Sequence, residues 1–296
     1  MAFSRATLVQ EVRYALSDTP PADSITGAYT AAGLTLSVAD ATLYDKGDIL
    51  EFKLDGDTFL VDSAAGTTIT MIAAGLSWDG STNANHASGA VFFVKPAFRY
   101  LQIVEAIEET ILTMWPYGYK VVTDSLTPVS GTKWYNAGTS KLTGIDIVDA
   151  TQRDLSTPAG VVFYGGRRNP LKIALRSNLP AAVATDLQGY YIPRLHNATY
   201  AISARVRARL LATFTTPNYD DLTAGTMTDA IVLGTCARLA ENSEIPRVSQ
   251  SDVTMGDSTV TPGARLRDGA YFERRYRRLL NRLKHELDAF YPRTGT

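Results

Sequence analysis

The spacing of apolar and polar positions changes period several times along the chain. Over 98–115, Leu101, Val104, Ile107, Ile111 and Met114 recur at three- and four-residue steps, while Glu105, Glu108 and Glu109 lie off that face. This pattern predicts an amphipathic helix. Pro96 precedes it, and Pro116 with Gly118 ends it. A shorter helix is predicted over 7–17: Leu8, Val12, Ala15 and Leu16 form its stripe, and Thr7 with Gln10 fits a capping box. Pro20 and Pro21 stop it. Helical period returns over 219–242, where Met227, Ala230, Ile231, Gly234, Cys236, Ala237 and Leu239 make a broad surface rich in small residues. The last helix, 269–291, places Phe272, Tyr276, Leu279, Leu280, Leu283, Leu287 and Phe290 in one arc.

Between these segments the period falls to two. Leu34, Leu36 and Val38 alternate with Thr35 and Ser37, and strands over 49–54 and 58–61 flank Asp55-Gly56-Asp57, a hairpin signal in which glycine supplies positive φ. Further strands are expected over 69–72, 91–94, 145–148, 161–164, 171–176 and 189–192. Over 200–210, Tyr200, Ile202, Ala204, Val206, Ala208 and Leu210 fall on one face and Ser203, Arg205, Arg207 and Arg209 on the other; a strand gathers those arginines into a ladder, a helix would scatter them. The polar stretch 243–265, with Pro246, Gly256, Pro262 and Gly263, reads as a long loop of the kind that is usually functional or disordered and could order only against a neighbouring subunit. The fold class expected is α+β: a helical core of about four helices (1–20, 97–118 and 219–296) with two inserted antiparallel β domains, a small barrel- or sandwich-like module over 21–96 and a β-sandwich-like domain over 119–218.

Composition narrows the function classes. The 296 residues are 45% hydrophobic and 20% charged, an ordinary globular balance, and the formal net charge of -1 means that any nucleic-acid contact must come from a local patch. The single cysteine, Cys236, reads as a small core residue. Residues 1–18 are amphipathic with Arg5, Glu11 and Arg13, so no signal peptide is expected, and no apolar run reaches membrane-spanning length. No phosphate-binding glycine loop, nucleophile elbow or HExxH is present, so no enzyme and no cofactor is expected. His86, His196 and His285 lack companions at metal-ligand spacing, and His86 reads as a turn residue. Asp45, Asp48, Asp55 and Asp57 are explained by hairpin turns. Trp78, Trp134 and Tyr135 could form a sugar platform, though core or interface positions are commoner for such residues. The polar side of the last helix carries Arg274, Arg275, Arg277, Arg278, Arg282 and Lys284; a solvated face accounts for them, and the preference for arginine leans toward carboxylate or phosphate pairing. These six, with Arg205, Arg207 and Arg209, are the interface candidates.

Two resemblances add to this reading. The order GLTLSVADATLYDKGDILEF, GTTITMI and STNANHASGAVFF is similar to small β modules inserted in structural proteins of tailed bacteriophages. Thr35-Leu36, Val38 and Asp40-Ala41 carry the opening, Gly47-Asp48 the turn, and His86, Gly89 and Val91 the ending; Ala74-Gly75 stands where many such modules have Arg-Gly. The whole arrangement, with TDAIVLGTCARLAENSEIPR and then YFERRYRRLLNRLKHELDAFYP, resembles that of phage head–tail adaptors, also called neck or connector proteins. The resemblance implies a homo-oligomeric ring, commonly twelvefold, in the virion neck. Its neighbours would be the portal protein and the tail or neck proteins, with double-stranded DNA passing through and no membrane contact. The competing expectations are a tail-associated carbohydrate- or receptor-binding protein and an enzyme with unrecognised acid and base residues.

Overall fold

The computed structural model describes residues 3–18, 20–31, 33–73, 83–126, 133–136, 146–153, 162–164, 174–177, 188–192, 201–208, 210, 218–219, 225–244, 253–255, 258–260 and 264–290. In chain order the elements are β1 (Phe3–Ser4), α1 (Arg5–Ala15), β2 (Ala22–Ser24), β3 (Thr35–Ser37), β4 (Ile49–Phe52), β5 (Thr58–Ala65), β6 (Thr68–Met71), β7 (Val91–Val94) and α2 (Tyr100–Thr113). There follow β8 (Lys120–Leu126), β9 (Trp134–Asn136), β10 (Asp146–Arg153), β11 (Val162–Tyr164), β12 (Ala174–Ser177), β13 (Gln188–Tyr191), β14 (Ala201–Ala208) and β15 (Asn218–Tyr219). The chain closes with α3 (Thr226–Glu244), β16 (Val253–Met255), β17 (Ser258–Val260) and α4 (Ala264–Phe290). Two compact units form, one from Met1–Ile111 with Ala212–Leu279, the other from Leu112–Leu211 with Leu280–Thr296.

The first unit contains a curled, half-barrel antiparallel sheet in the order β2-β7-β4-β5-β6-β3. The curl has a local cause. Strand β5 pairs with β4 through its first residues and with β6 through its last, and the β6 register shifts between Val61 and Ser63. An extra residue at such a point bends and twists the strand. The concave side fills with Ile25, Leu36, Leu50, Phe52, Phe59, Val61, Ile69 and Phe92. Phe52 meets Phe59 and Phe92 edge to face at 5.6 and 6.0 Å. Each such buried ring contributes about 1.5–3 kcal/mol relative to exposure.

The helices of this unit bury most of the stripes that the periodicity predicts: Val104, Ile107 and Ile111 of α2 and Leu8 and Val12 of α1 are inaccessible or nearly so, while Leu101, Ala15 and Leu16 are half-buried. Ile103 and Val9, outside the predicted stripes, are fully buried as well. Helix α3 turns its small residues inward. A Cβ at Gly234 would lie 2.6 Å from Thr110 of α2 and 2.9 Å from Tyr276 of α4, so only glycine permits this approach. Thr235 Oγ1 and Thr110 Oγ1 are 3.5 Å apart at the same crossing, and Arg238 pairs with Glu109 at 3.1 Å.

The expected architecture, a helical core carrying separate β domains, is corrected. The fold is mixed α+β, and the six-stranded sheet is built together with the helices in one compact unit. Glu51 of β4 shows the physical reason. One carboxylate oxygen is bonded by Arg13 of α1, and the other accepts the backbone N–H of Tyr100, the first residue of α2, at 2.6 Å. The N–H groups of a first helical turn have no partner within their own helix. A sheet carboxylate supplies it here and complements the positive end of the helix dipole. The same Arg13 bonds Asp18 at 3.1 Å. An apolar stripe on a helix shows that a partner exists, not whether it is helix or sheet.

Boundaries differ in smaller ways. Helix α1 starts at Arg5 behind Ser4, without a side-chain cap, so the Thr7–Gln10 capping box does not form. The 243–265 stretch holds the end of α3 and the antiparallel pair β16–β17, where a loop was expected. Phe290, placed in the apolar arc of α4, is 77% exposed.

The second unit contains a four-stranded sheet in the order β11-β10-β14-β8 and a three-stranded sheet in the order β12-β13-β9, with all pairs antiparallel. The strand expected over 200–210 is β14, the inner strand between β10 and β8. In this unit Gly118 packs close to Met114 and to Leu283.

Candidate functional site

Two features carry concentrated charge: a buried acid–histidine cluster in the curled sheet and the basic face of α4. The cluster begins with the β4–β5 turn. Gly56 has φ +76, and a Cβ there would collide with the Tyr100 ring at 2.3 Å. Glycine therefore meets both the dihedral and the space requirement. The turn directs Asp55 and Asp57 toward the segment before β7. Asp57 is fully buried, and its Oδ2 accepts the backbone N–H of Ala84 at 2.6 Å and faces His86 Nε2 at 3.0 Å. His86 Nδ1 lies 3.7 Å from Asp55 Oδ2. The imidazole stacks on Phe52 at 3.6 Å between centroids, with Tyr29 near its other side at 5.9 Å. Residues Tyr29 and His86 also exchange backbone hydrogen bonds of 2.8 and 2.9 Å. Burial, then the Asp57 charge, pushes the Asp55 carboxyl up, and His86 opposes that rise.

Two carboxylates and an imidazole are a donor set that suits a divalent cation, and one ligand atom from each lies within 4.8 Å of the others. The hydrogen bonding points elsewhere. Asp57 Oδ2 already accepts the Ala84 N–H and lies 3.0 Å from His86 Nε2, and the two ring nitrogens face different carboxylates, while Asp57 Oδ1 is buried with no hydrogen-bond partner among the described residues. The arrangement closes the half-barrel by tying a hairpin turn to the strand segment opposite. His86 is thus more than the turn residue expected from sequence: it is 8% exposed and lies against Asp55, Asp57, Phe52 and Tyr29.

On α4, Arg274, Arg275, Arg277, Arg278 and Arg282 are exposed and Lys284 is half-buried, opposite the buried Tyr276, Leu280 and Leu283. Some of this charge is balanced along the helix. Arg277 pairs with Glu273 at 2.6 Å, Arg282 with Glu286 at 2.7 Å, and Lys284 approaches Asp288 at 3.9 Å. Arg275 bonds the Tyr271 hydroxyl at 3.0 Å and lies 5.5 Å from its ring centroid, and Arg274 donates to the Ala270 carbonyl at 3.1 Å. Arg274, Arg275 and Arg278 have no carboxylate partner among the described residues.

Arg207 of β14 does not join this set. Arg207 is buried, 3.0 Å from Asp288 Oδ1 and 4.6 Å from the Tyr119 ring centroid, while Tyr119 donates its hydroxyl to the same carboxylate oxygen at 3.0 Å. It is an internal ion pair of the second unit and not a solvated rung of a ladder. The Arg205 side chain and Arg209 lie outside the described residues, as do Trp78, His196 and the Tyr135 side chain. Trp134 is half-buried and packs on Tyr191 at 4.7 Å. His285 is exposed on α4. Cys236 is buried, and burial pushes its thiol up to about 12.

Sequence reasoning missed Glu108. It sits on α2 off the main stripe but is 3% exposed, with no hydrogen-bond partner for Oε1 among the described residues. Burial pushes its carboxyl up to about 7, against the opposing charge of Arg5 and with that of Glu105. Its place between Ile107 and Glu109, in a helix with a wide buried face, was the available signal.

No protein-family model, curated protein or solved structure matches the chain. Among the described residues no helix is long and apolar enough to cross a membrane.

Proposed function

We propose that the chain is a structural virion protein, a head–tail adaptor that forms an oligomeric ring between portal and tail and continues the DNA channel. The observation that carries this reading is the exposed arginine face of α4, three of whose guanidinium groups have no carboxylate partner among the described residues. Like charges three and four residues apart weaken a helix on its own. Their concentration on one face suits an anionic surface supplied from outside the fold. The resemblance of the element order and of the 35–91 segment to phage structural proteins gives that surface a setting.

The partners proposed are portal protein, tail or neck proteins, further copies of the chain, and DNA in transit. The test is to mix the purified protein with isolated portal rings and image the product. A second ring stacked coaxially on the portal supports the adaptor reading. Absence of any complex at micromolar concentrations of both proteins would contradict it.

A further inference from the structure

The charge of the chain is unevenly placed. Helix α4 holds eight basic and four acidic residues, so the remainder holds 21 basic and 26 acidic ones. A molecule divided in this way carries both halves of an electrostatic contact. On α4, Tyr271, Arg274, Arg275 and Arg278 stand at i, i+3, i+4 and i+7, all exposed, and therefore share one face. That spacing is how a helix presents itself to a groove.

A groove lies along α1. It has a volume of about 500 Å³ and a mainly apolar lining surface with Tyr14 and Phe93; its charged lining residues are Glu11, the Arg13–Asp18 pair and the exposed Lys53. Tyr14 is 83% exposed, which is unusual for a large aromatic ring beside an apolar concavity. Glu11 is exposed and has no cationic partner among the described residues. Burial and the nearby Asp229 charge both push its carboxyl up. Asp229, in the first turn of α3, is likewise exposed. Glu11 at the groove and Asp229 near it, without cationic partners among the described residues, complement Arg274, Arg275 and Arg278, which have no carboxylate partner among them.

We infer that the Tyr271–Arg274–Arg275–Arg278 face of α4 docks in the α1 groove of a second copy of this chain, with the arginines on Glu11 and Asp229. The two patches differ, so the contact is heterologous and repeats from copy to copy into a ring or a filament. This rests on the ring-forming reading above and names the contact that would join its subunits.

The test is a charge swap read by sedimentation and native mass spectrometry. The wild type assembles, and about 0.5 M salt weakens assembly because exposed pairs are screened. Arg274→Glu/Arg278→Glu and Glu11→Arg/Asp229→Arg each lower association by about tenfold or more, since like charges then face each other. Circular dichroism melts near that of the wild type show that both variants remain folded. Mixing the two variants restores assembly, because each reversed helix then finds a reversed groove on the other protein. A wild type that stays monomeric, reversed variants that assemble unaided, or a mixture that fails to assemble would each overturn the inference. Portal docking by a protein with any of those behaviours would leave the adaptor reading standing and the copy-to-copy contact refuted.

Discussion

Glu108 offers a quantitative test of how α2 is packed. Its folded-state carboxyl titrates near 7 in place of the ordinary 4.5, chiefly because burial disfavours the charged form. The sign follows from linkage. Below about pH 4.5 the group is protonated in both the folded and the unfolded chain and contributes no difference. Between 4.5 and about 7 the unfolded chain ionises while the folded one holds its proton, so stability falls as pH rises; above 7 the whole penalty is present. At about 1.4 kcal/mol per tenfold change in proton affinity the penalty has a ceiling of about 3 kcal/mol. Partial solvation reduces it to about 1–2 kcal/mol. Glu108→Gln keeps the shape and removes the titration. Urea unfolding at pH 4, 6 and 8 measures the difference between variant and wild type, which cancels the other titrating groups. A buried amide without partners adds a constant cost of about 1 kcal/mol at every pH. The expected signature is therefore the trend: the variant gains about 1–2 kcal/mol relative to wild type between pH 4 and pH 8. A difference that does not change with pH would refute the burial of this carboxyl.

His86→Ala should lower stability by about 2–4 kcal/mol, since it removes the ring stacked on Phe52 and leaves the Asp57 carboxylate buried without its imidazole partner. If the cluster is a tie and not a metal site, EDTA and added Zn²⁺ or Mn²⁺ leave the wild-type melting temperature unchanged, and a rise of several degrees with metal would overturn that assignment. Gly234→Ala places a methyl group against Thr110 and Tyr276, and calorimetry should show a loss of about 1–3 kcal/mol despite the better helix propensity of alanine. Asp288→Ala removes the carboxylate shared by Arg207 and the Tyr119 hydroxyl, and denaturant unfolding should report a loss of about 1–3 kcal/mol.

Local pattern was a good guide wherever the cause of structure is local. The three- and four-residue steps of Leu101 to Met114 sufficed for α2, the Asp-Gly-Asp turn for the β4–β5 hairpin, and the strict alternation after Tyr200 for β14. The contacts that define the fold span long separations and left no local trace. Glu51 meets α2 across 49 residues and Arg13 across 38. Asp57 and His86 are 29 residues apart, and only the curl of the sheet brings them together. The alternation that revealed β14 could not say which of its faces is covered. A row of arginines suggested solvent, whereas Arg207 is covered and paired with Asp288. Charge pattern on α4 was more legible, because its arginines stand opposite an apolar arc whose middle, from Tyr276 to Leu283, is buried. Phe290, at the end of that arc, shows that periodicity marks a face without marking how far along the helix it is covered.

The adaptor reading makes one demand on the intact particle. Cryo-electron microscopy of virions that carry this protein, with antibody or a fused tag to mark it, should place a ring of its density at the neck, between portal and tail. Density confined to the tail tip, or no density in the virion, would contradict the account.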